Sequence, residues 1–200
     1  NYEIMNMSFK PHSSCRWTHA TLDAVQLIIQ DHNVKADDVE EVRVRTFSQV
    51  ARAFSDYAPK SLVDAEFSIP YTVAVMLLRK KAGPDWFTQK VLTSKEVLDL
   101  AARVKLEGDA EADDACLKQG WRMLSKVTMR TKDGRVVEKA VDCPKGEPKN
   151  PMTVEELREK FIELTSRVAG KKRAEKLLDT IYKLDQLKNV SALARLLACK

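Results

Sequence analysis

The sequence predicts an α+β fold in which a small antiparallel sheet, of about three to four strands, packs with helices. Helix-like and strand-like patterns follow each other without the strict alternation of a doubly wound parallel sheet. The first strand-like pattern alternates apolar and charged side chains, which is typical of a half-solvated antiparallel strand. A second pair of alternating runs flanks an Asp-Gly turn. We expect residues 1–200 to form a single α+β domain.

The first half of the chain is predicted to contain two helices and one strand. Apolar residues recur at helical spacing from Trp17 to His32, and a period-two strand pattern covers Val42 to Phe47. An unusually apolar helical pattern then runs from residue 61 to about residue 81. Since proline disrupts a helix interior, Pro70 predicts that this helix either begins near Ile69 or kinks there.

The middle of the chain is predicted to contain a helix, an acidic segment and a hairpin. The helix covers residues 94–104, and the acidic stretch at 107–114 is interpreted as a loop or a short helix. Residues 126–142 form the clearest hairpin pattern, because Asp-Gly supplies the positive φ angles of a tight turn. The proline-containing segment 143–151 is expected to be an ordered loop.

The last quarter is predicted to be helical. Thr153 and Glu156 have the spacing of a capping box, which opens an amphipathic helix that ends at Gly170. Two further amphipathic segments follow, through Leu177 and through Leu193. We find no internal repeat.

Composition argues against two classes of partner. The net charge is +5 and the isoelectric point is near 9.0. Basic and acidic residues are interleaved, however, and the two short basic clusters, 79–81 and 171–173, lack the aromatic residues of a nucleic-acid groove. No apolar run approaches the ~20 residues that cross a bilayer. We therefore expect neither nucleic acid nor membrane as a partner.

Cysteine usage bears on compartment and on metals. The four cysteines are far apart, without the Cys/His spacing of a zinc site. This favours reduced thiols in the cytoplasm, or in the mitochondrial matrix of a eukaryote, and predicts no metal. The chain begins without Met or a signal-peptide pattern, so we expect it to be part of a longer protein.

Functional side chains are most concentrated just before the first helix. Lys10, His12, Arg16 and His19 bring cationic groups to a helix start, where free N–H groups and the helix dipole favour an anion. The alternative is an ordinary helix entry with surface basic residues and a capping serine. Tyr71 is a second candidate, since it lies beside the irregularity at Pro70; the alternative is a core tyrosine.

At these residues the sequence resembles the carboxy-terminal domain of the MmgE/PrpD family, which includes 2-methylcitrate dehydratase, cis-aconitate decarboxylase and iminodisuccinate epimerase. The resemblance extends over nearly the whole chain. It rests on the following fragments: Phe9-Lys10-Pro11 with Cys15-Arg16 and His19, residues 22–24, residues 39–46, residues 65–71 with Ala74 and Leu77-Leu78, Asp133-Gly134, and residues 146–153 leading into Glu156-Leu157 and Lys160-Phe161.

The resemblance implies a cofactor-independent and metal-independent lyase that acts on small di- or tricarboxylates. It implies that an all-helical amino-terminal domain, absent from this chain, completes the active site. Lys10, Tyr71 and His19 would be catalytic, and Lys10, Arg16 and His12 would bind a substrate carboxylate.

The expected reaction is dehydration of 2-methylcitrate, as in propionate metabolism, by a homodimer. Two alternatives remain: another reaction of the family, an epimerisation or a decarboxylation, and a non-catalytic anion-binding or dimerisation module.

Overall fold

The computed structural model describes residues 2–79, 83–120 and 122–198. Contacts within the chain separate two compact units, Asn1–Pro151 and Met152–Lys200. The first unit contains the sheet and seven of the described α-helices, and the second is helical. That residues 1–200 form a single domain stays a prediction.

Within these described residues, the sheet has four strands in the order β2-β1-β3-β4. Their bounds are Val39–Thr46 (β1), Val104–Gly108 (β2), Ser125–Thr131 (β3) and Val136–Val141 (β4). β1 pairs antiparallel with β3, and β3 pairs antiparallel with β4 across the predicted hairpin. β1 and β2 are parallel. The α+β class and the number of strands are confirmed, while the sheet is mixed rather than wholly antiparallel.

The parallel strand β2 was not predicted: residue 104 was expected to end a helix, and residues 107 and 108 were expected to begin an acidic loop or short helix. Val104 is buried opposite Val42, and Leu106 lies opposite Val44. The described residues between β1 and β2 contain five α-helices, and such a long crossover permits a parallel pairing. Only two apolar residues alternate in this strand, so its pattern was too short to predict it.

Helices of the first unit, among them α1, α2 and α7, pack against the sheet. Pro70 is the second residue of α4, where its missing N–H removes no intrahelical bond, so the prediction that this helix begins near Ile69 is confirmed. The basic cluster 79–81 extends outside the described residues. The helices are α1 His19–His32, α2 Ser48–Ala53, α3 Leu62–Glu66, α4 Ile69–Arg79, α5 Gln89–Leu92, α6 Lys95–Ala101 and α7 Ala110–Lys118.

Packing of α1 on the sheet determines where the next loop lies. α1 contacts α4, β3 and β4. At the carboxyl end of α1, Asp31 accepts a hydrogen bond from Lys139 of β4 (Nζ to Oδ2, 3.0 Å), and near its start Asp23 accepts one from the backbone N–H of Lys145. β4 therefore runs towards the start of α1. The loop that follows β4 lies next to the residues that precede α1.

The second unit comprises α8 (Val154–Ala169), α9 (Lys171–Tyr182) and α10 (Ser191–Leu197). The predicted capping box is present: Thr153 Oγ1 accepts from the Glu156 N–H at 3.1 Å, and the Thr153 N–H donates to Glu156 Oε2 at 2.7 Å. α9 packs against both neighbours and buries Leu177 and Leu178.

Candidate active site

The segment before α1 enters the helix through a short 3-10 turn, Arg16–Thr18. Ser14 is buried, and its hydroxyl lies 2.7 Å from the Thr18 hydroxyl. The predicted N-cap, Ser13 or Ser14, is therefore wrong, because the N-cap of α1 is Thr18 and the Ser14 hydroxyl bonds the Thr18 side chain. The Cys15 N–H donates to the Glu66 carbonyl at 2.9 Å, which fixes the segment to the end of α3.

The loop after β4 is held against this segment by backbone hydrogen bonds. The Phe9 N–H donates to the Gly146 carbonyl at 2.9 Å, and the Gly146 N–H donates to the Asn150 carbonyl at 2.8 Å. The Asn150 side chain closes the loop by donating to the Cys143 carbonyl at 2.9 Å. The predicted ordered loop therefore forms one wall of the cluster that contains Lys10 and Arg16.

Arg16 is the connection between the two segments. Its Nε and Nη2 donate to Glu147 Oε1 at 2.9 and 2.5 Å, and its Nη1 donates to the Lys145 carbonyl at 3.0 Å. Only 13 % of the Arg16 side chain is exposed. The guanidinium charge is thus paired with a carboxylate of the protein in a partly buried setting.

His19 is completely buried, and its protonation state follows from its neighbours. Arg16 Nη1 lies 2.9 Å from His19 Nδ1. Because a guanidinium can only donate, Nδ1 is the acceptor and Nε2 carries the hydrogen, which it donates to the Ser14 carbonyl at 3.4 Å. Burial, followed by the neighbouring His12 and Arg16, lowers the pKa of His19 to about 2. His19 is therefore a neutral imidazole.

His12 lies beside His19, with the two rings edge to face and their centroids 5.0 Å apart. Its Nε2 is 2.8 Å from Asp23 Oδ1. The ring is buried, and its Nδ1 has no hydrogen-bond partner among the described residues. Such an orphaned buried nitrogen is uncommon in folded proteins.

Lys10 lies at the exposed side of this cluster. Its ammonium donates to the Ser14 carbonyl at 3.0 Å, the same carbonyl that accepts from His19. One backbone oxygen therefore accepts hydrogen bonds from both an ammonium group and a neutral imidazole.

Tyr71 lies on α4 in the core rather than at the surface. It is 0 % exposed, its hydroxyl donates to the Trp86 carbonyl, and its backbone N–H donates to Ser68 Oγ at 3.0 Å. A ligand cannot reach the hydroxyl in this conformation. The hydrogen bonds above bring Lys10, His12, Arg16 and His19 together; those of Tyr71 lead to other parts of the core.

Sequence reasoning missed the roles of Asp23 and Glu147. Both lay in fragments that carried the family resemblance, so a signal was present, but their partners are more than ten and more than one hundred residues away in the chain. We did not foresee those pairings.

Other sequence predictions concern thiols, metals and membranes. Cys15, Cys116 and Cys143 are free thiols, and Cys199 lies outside the described residues. In the part of the chain that the structure describes, no group of three or more His, Cys, Asp or Glu side chains could hold a metal ion. None of its helices has both the length and the apolar character needed to cross a bilayer.

Comparison with known families decides the classification. A model of the MmgE/PrpD C-terminal domain matches residues 12–186. The chain belongs to the MmgE/PrpD family. The matched range contains His12, Arg16, His19, Tyr71 and the loop after β4, whereas Lys10 lies just before it.

Two curated relatives are similar over almost the whole chain. The cis-aconitate decarboxylase-like protein oryM of Aspergillus oryzae (strain ATCC 42149 / RIB 40) is 23% identical, over 98% of this chain and 42% of that protein. The cis-aconitate decarboxylase of Mus musculus is 26% identical, over 98% of this chain and 39% of that protein. The chain thus spans about two fifths of the length of these relatives.

Proposed function

We propose that this chain supplies one side of the active site of a metal-independent lyase that acts on small di- or tricarboxylates. The observation that carries the proposal is the exposed Lys10 ammonium, held by the same carbonyl as the neutral, buried His19. Membership of the MmgE/PrpD family supports it, as do the names of the two relatives.

In this proposal, the Lys10 ammonium binds a carboxylate of the substrate. Removal of a proton next to a carboxylate places negative charge on that group, and a cation that is already in position stabilises the transition state more than the ground state. The ammonium is exposed, so a ligand can approach it.

Arg16 receives a supporting role in this proposal. Its guanidinium is paired with Glu147 and bonded to His19, so we propose that it organises the site rather than contacts the carboxylate. His19 contributes a neutral imidazole to the same cluster.

Tyr71 is the assignment that the geometry supports least. Its hydroxyl is buried and donates to the Trp86 carbonyl, as expected of a core tyrosine. We retain a catalytic role for Tyr71 on the family resemblance alone.

Two reactions are candidates for the full-length protein. The first is dehydration of 2-methylcitrate or a similar tricarboxylate. The second is decarboxylation of a cis-aconitate-like substrate, which the names of both relatives favour. Incubation of the full-length protein with each substrate, followed by product analysis, separates them: release of water leaves the carbon count unchanged, and decarboxylation lowers it by one.

Substitution of Lys10 tests the proposal directly. In the full-length protein we expect Lys10→Ala to lower kcat/KM by about ten-fold or more, a loss of about 1.4 kcal/mol of transition-state stabilisation or more. Lys90→Ala is the matched control, since Lys90 is an exposed lysine on α5. Tyr71→Phe should lower kcat/KM to a similar extent if the hydroxyl is catalytic.

The combined outcome decides between the enzyme and a non-catalytic module. Unchanged kinetics in both variants, with folding retained, would remove Lys10 and Tyr71 from the site. Absence of any turnover by the full-length protein on di- and tricarboxylates, with retained binding of the anions, would favour the anion-binding module instead.

A further inference from the structure

Asp23 connects three parts of the candidate site through one carboxylate. It lies on α1, one turn after His19, and 13% of its side chain is exposed. Its Oδ1 is 2.8 Å from His12 Nε2, and its Oδ2 accepts the backbone N–H of Lys145 at 2.6 Å. The same side chain therefore contacts the segment before α1 and the loop after β4.

These contacts determine which nitrogen of His12 carries the hydrogen. An ionised carboxylate only accepts hydrogen bonds, so in the neutral imidazole Nε2 must donate to Asp23 and Nδ1 must hold a lone pair. This Nδ1 is buried, in a residue that is 4% exposed, and it has no partner among the described residues. The site thus contains a fixed acceptor for which the described part of the chain provides no donor, and a ligand reaches this buried nitrogen only when the side chains that cover it move aside.

We infer that Asp23 is a positioning residue that holds His12 Nδ1 as an acceptor for the hydroxyl of a hydroxycarboxylate ligand. The inference rests on the proposed function and deepens it. A neutral Nδ1 lone pair repels a carboxylate and accepts from a hydroxyl, so His12 selects the hydroxyl while Lys10 receives a carboxylate. This differs from the expectation that His12 itself binds the carboxylate.

Asp23→Asn tests the positioning role without removing the side chain. The Lys145 N–H still requires an acceptor, so the amide oxygen of Asn faces Lys145 and the amide nitrogen faces His12. That nitrogen only donates, so His12 Nε2 becomes the acceptor and the hydrogen moves to Nδ1. We expect the tautomer of His12 to invert in this variant.

Nitrogen-15 NMR of the histidine rings reads the tautomer, because protonated and unprotonated ring nitrogens resonate far apart. The labelled 200-residue protein is measured at about pH 8, where an ordinary histidine is neutral. Asp31→Asn is the matched control, since Asp31 is exposed on the same helix and bonds Lys139 instead. We expect the Nε2–H form of His12 in the parent protein and in the control.

Two results would overturn the positioning role. One is the Nδ1–H form of His12 in the parent protein, which can be read even if Asp23→Asn does not fold. The other is an unchanged tautomer in a folded Asp23→Asn protein. If Asp23 only stabilised the fold, its substitution would lower stability. It would not move the hydrogen from one ring nitrogen of His12 to the other.

A pair of probes tests the ligand assignment. Citrate and propane-1,2,3-tricarboxylate carry the same three carboxylates, and only citrate has a hydroxyl. We expect citrate to bind at least about five-fold more tightly and to shift the His12 Nδ1 resonance. Equal affinity of the two probes, with an unchanged Nδ1 resonance, would assign this acceptor to water and overturn the ligand assignment. Absence of binding by both probes would also overturn the ligand assignment.

The Lys10→Ala variant separates this inference from the proposed function. If both probes lose affinity in Lys10→Ala but the parent protein does not distinguish them, the carboxylate site stands and the hydroxyl assignment fails. If Lys10→Ala binds both probes as the parent does, the carboxylate site itself fails.

Discussion

At Gly146 the backbone has a φ of 90°, and a Cβ there would lie 1.9 Å from the Phe9 carbonyl oxygen. The loop after β4 can approach the segment before α1 this closely only because residue 146 has no side chain.

Substitution of this glycine by alanine should therefore weaken the protein in two ways. Gly146→Ala adds the strain of a positive φ, about 1–2 kcal/mol, and also forces the backbone at Phe9 to move. Gly134→Ala is the matched control, because Gly134 has a φ of 87° and open space around its Cα. We expect urea unfolding to show a larger loss for Gly146→Ala; equal losses would contradict the close approach.

Protonation of His19 should make stability fall in acid. The folded protein holds its pKa near 2, whereas in the unfolded chain it returns to about 6.5, so only the unfolded state binds a proton between these values. Stability due to His19 is thus fully present above about pH 6.5 and decreases as the pH falls, by up to about 1.4 kcal/mol per pH unit.

Urea unfolding between about pH 7 and pH 5 measures this slope, since most carboxylates stay ionised there. His19→Gln should flatten it, and His32→Gln, which changes an exposed histidine on the same helix, should not. An equal slope in all three proteins would show that His19 is not the buried neutral group.

At the level of single residues, the sequence predicted the clustering of Lys10, His12, Arg16 and His19 because they are close in the chain. It could not predict that Glu147 neutralises Arg16 or that Asp23 bonds His12, since pairings of this kind leave no local pattern. The burial of Tyr71 matches the alternative interpretation, a core tyrosine.

Among the elements, α2 has a cap that comes from another helix. The first N–H of α2, at Ser48, donates to Asp113 Oδ1 at 2.7 Å, and the Ser48 hydroxyl donates to Oδ2 at 2.6 Å. Asp113 belongs to α7, and these two hydrogen bonds hold the pKa of its carboxyl below the ordinary value. One carboxylate thus stabilises the start of α2 and joins it to α7.

Removal of this carboxylate should destabilise the protein by about 1–3 kcal/mol, because both bonds are charge-assisted. Asp113→Ala and Asp114→Ala are to be compared by thermal and urea unfolding. Asp114 is the neighbouring residue and forms an exposed pair with Lys118, so its loss should cost about 0.5 kcal/mol or less. Similar losses in the two variants would contradict the capping role.

The elements with long or well-marked patterns were predicted correctly, including α1, β1, the hairpin and the capped helix α8. β2 was not, because a strand of five residues with two inward apolar side chains resembles the end of a helix. Its parallel pairing depends on a crossover that no local pattern describes.

For the whole molecule, the decisive fact is that the chain spans about two fifths of its relatives. We propose that an all-helical domain and a second copy of the protein complete the enzyme. We therefore expect the 200-residue chain alone to convert 2-methylcitrate and cis-aconitate with little or no measurable rate, while the full-length protein converts one of them. Product analysis on both proteins checks this, and turnover by the chain alone would overturn the two-domain account.

The link between Arg16 and Glu147 joins residues 131 positions apart. Closing so long a loop in an unfolded chain carries a high entropic cost. Once β4 lies along α1, however, only residues 142–144 separate the end of β4 from Lys145, whose backbone N–H bonds Asp23. The site should thus assemble late in folding, after the sheet. Substitutions within it should then speed unfolding more than they slow folding.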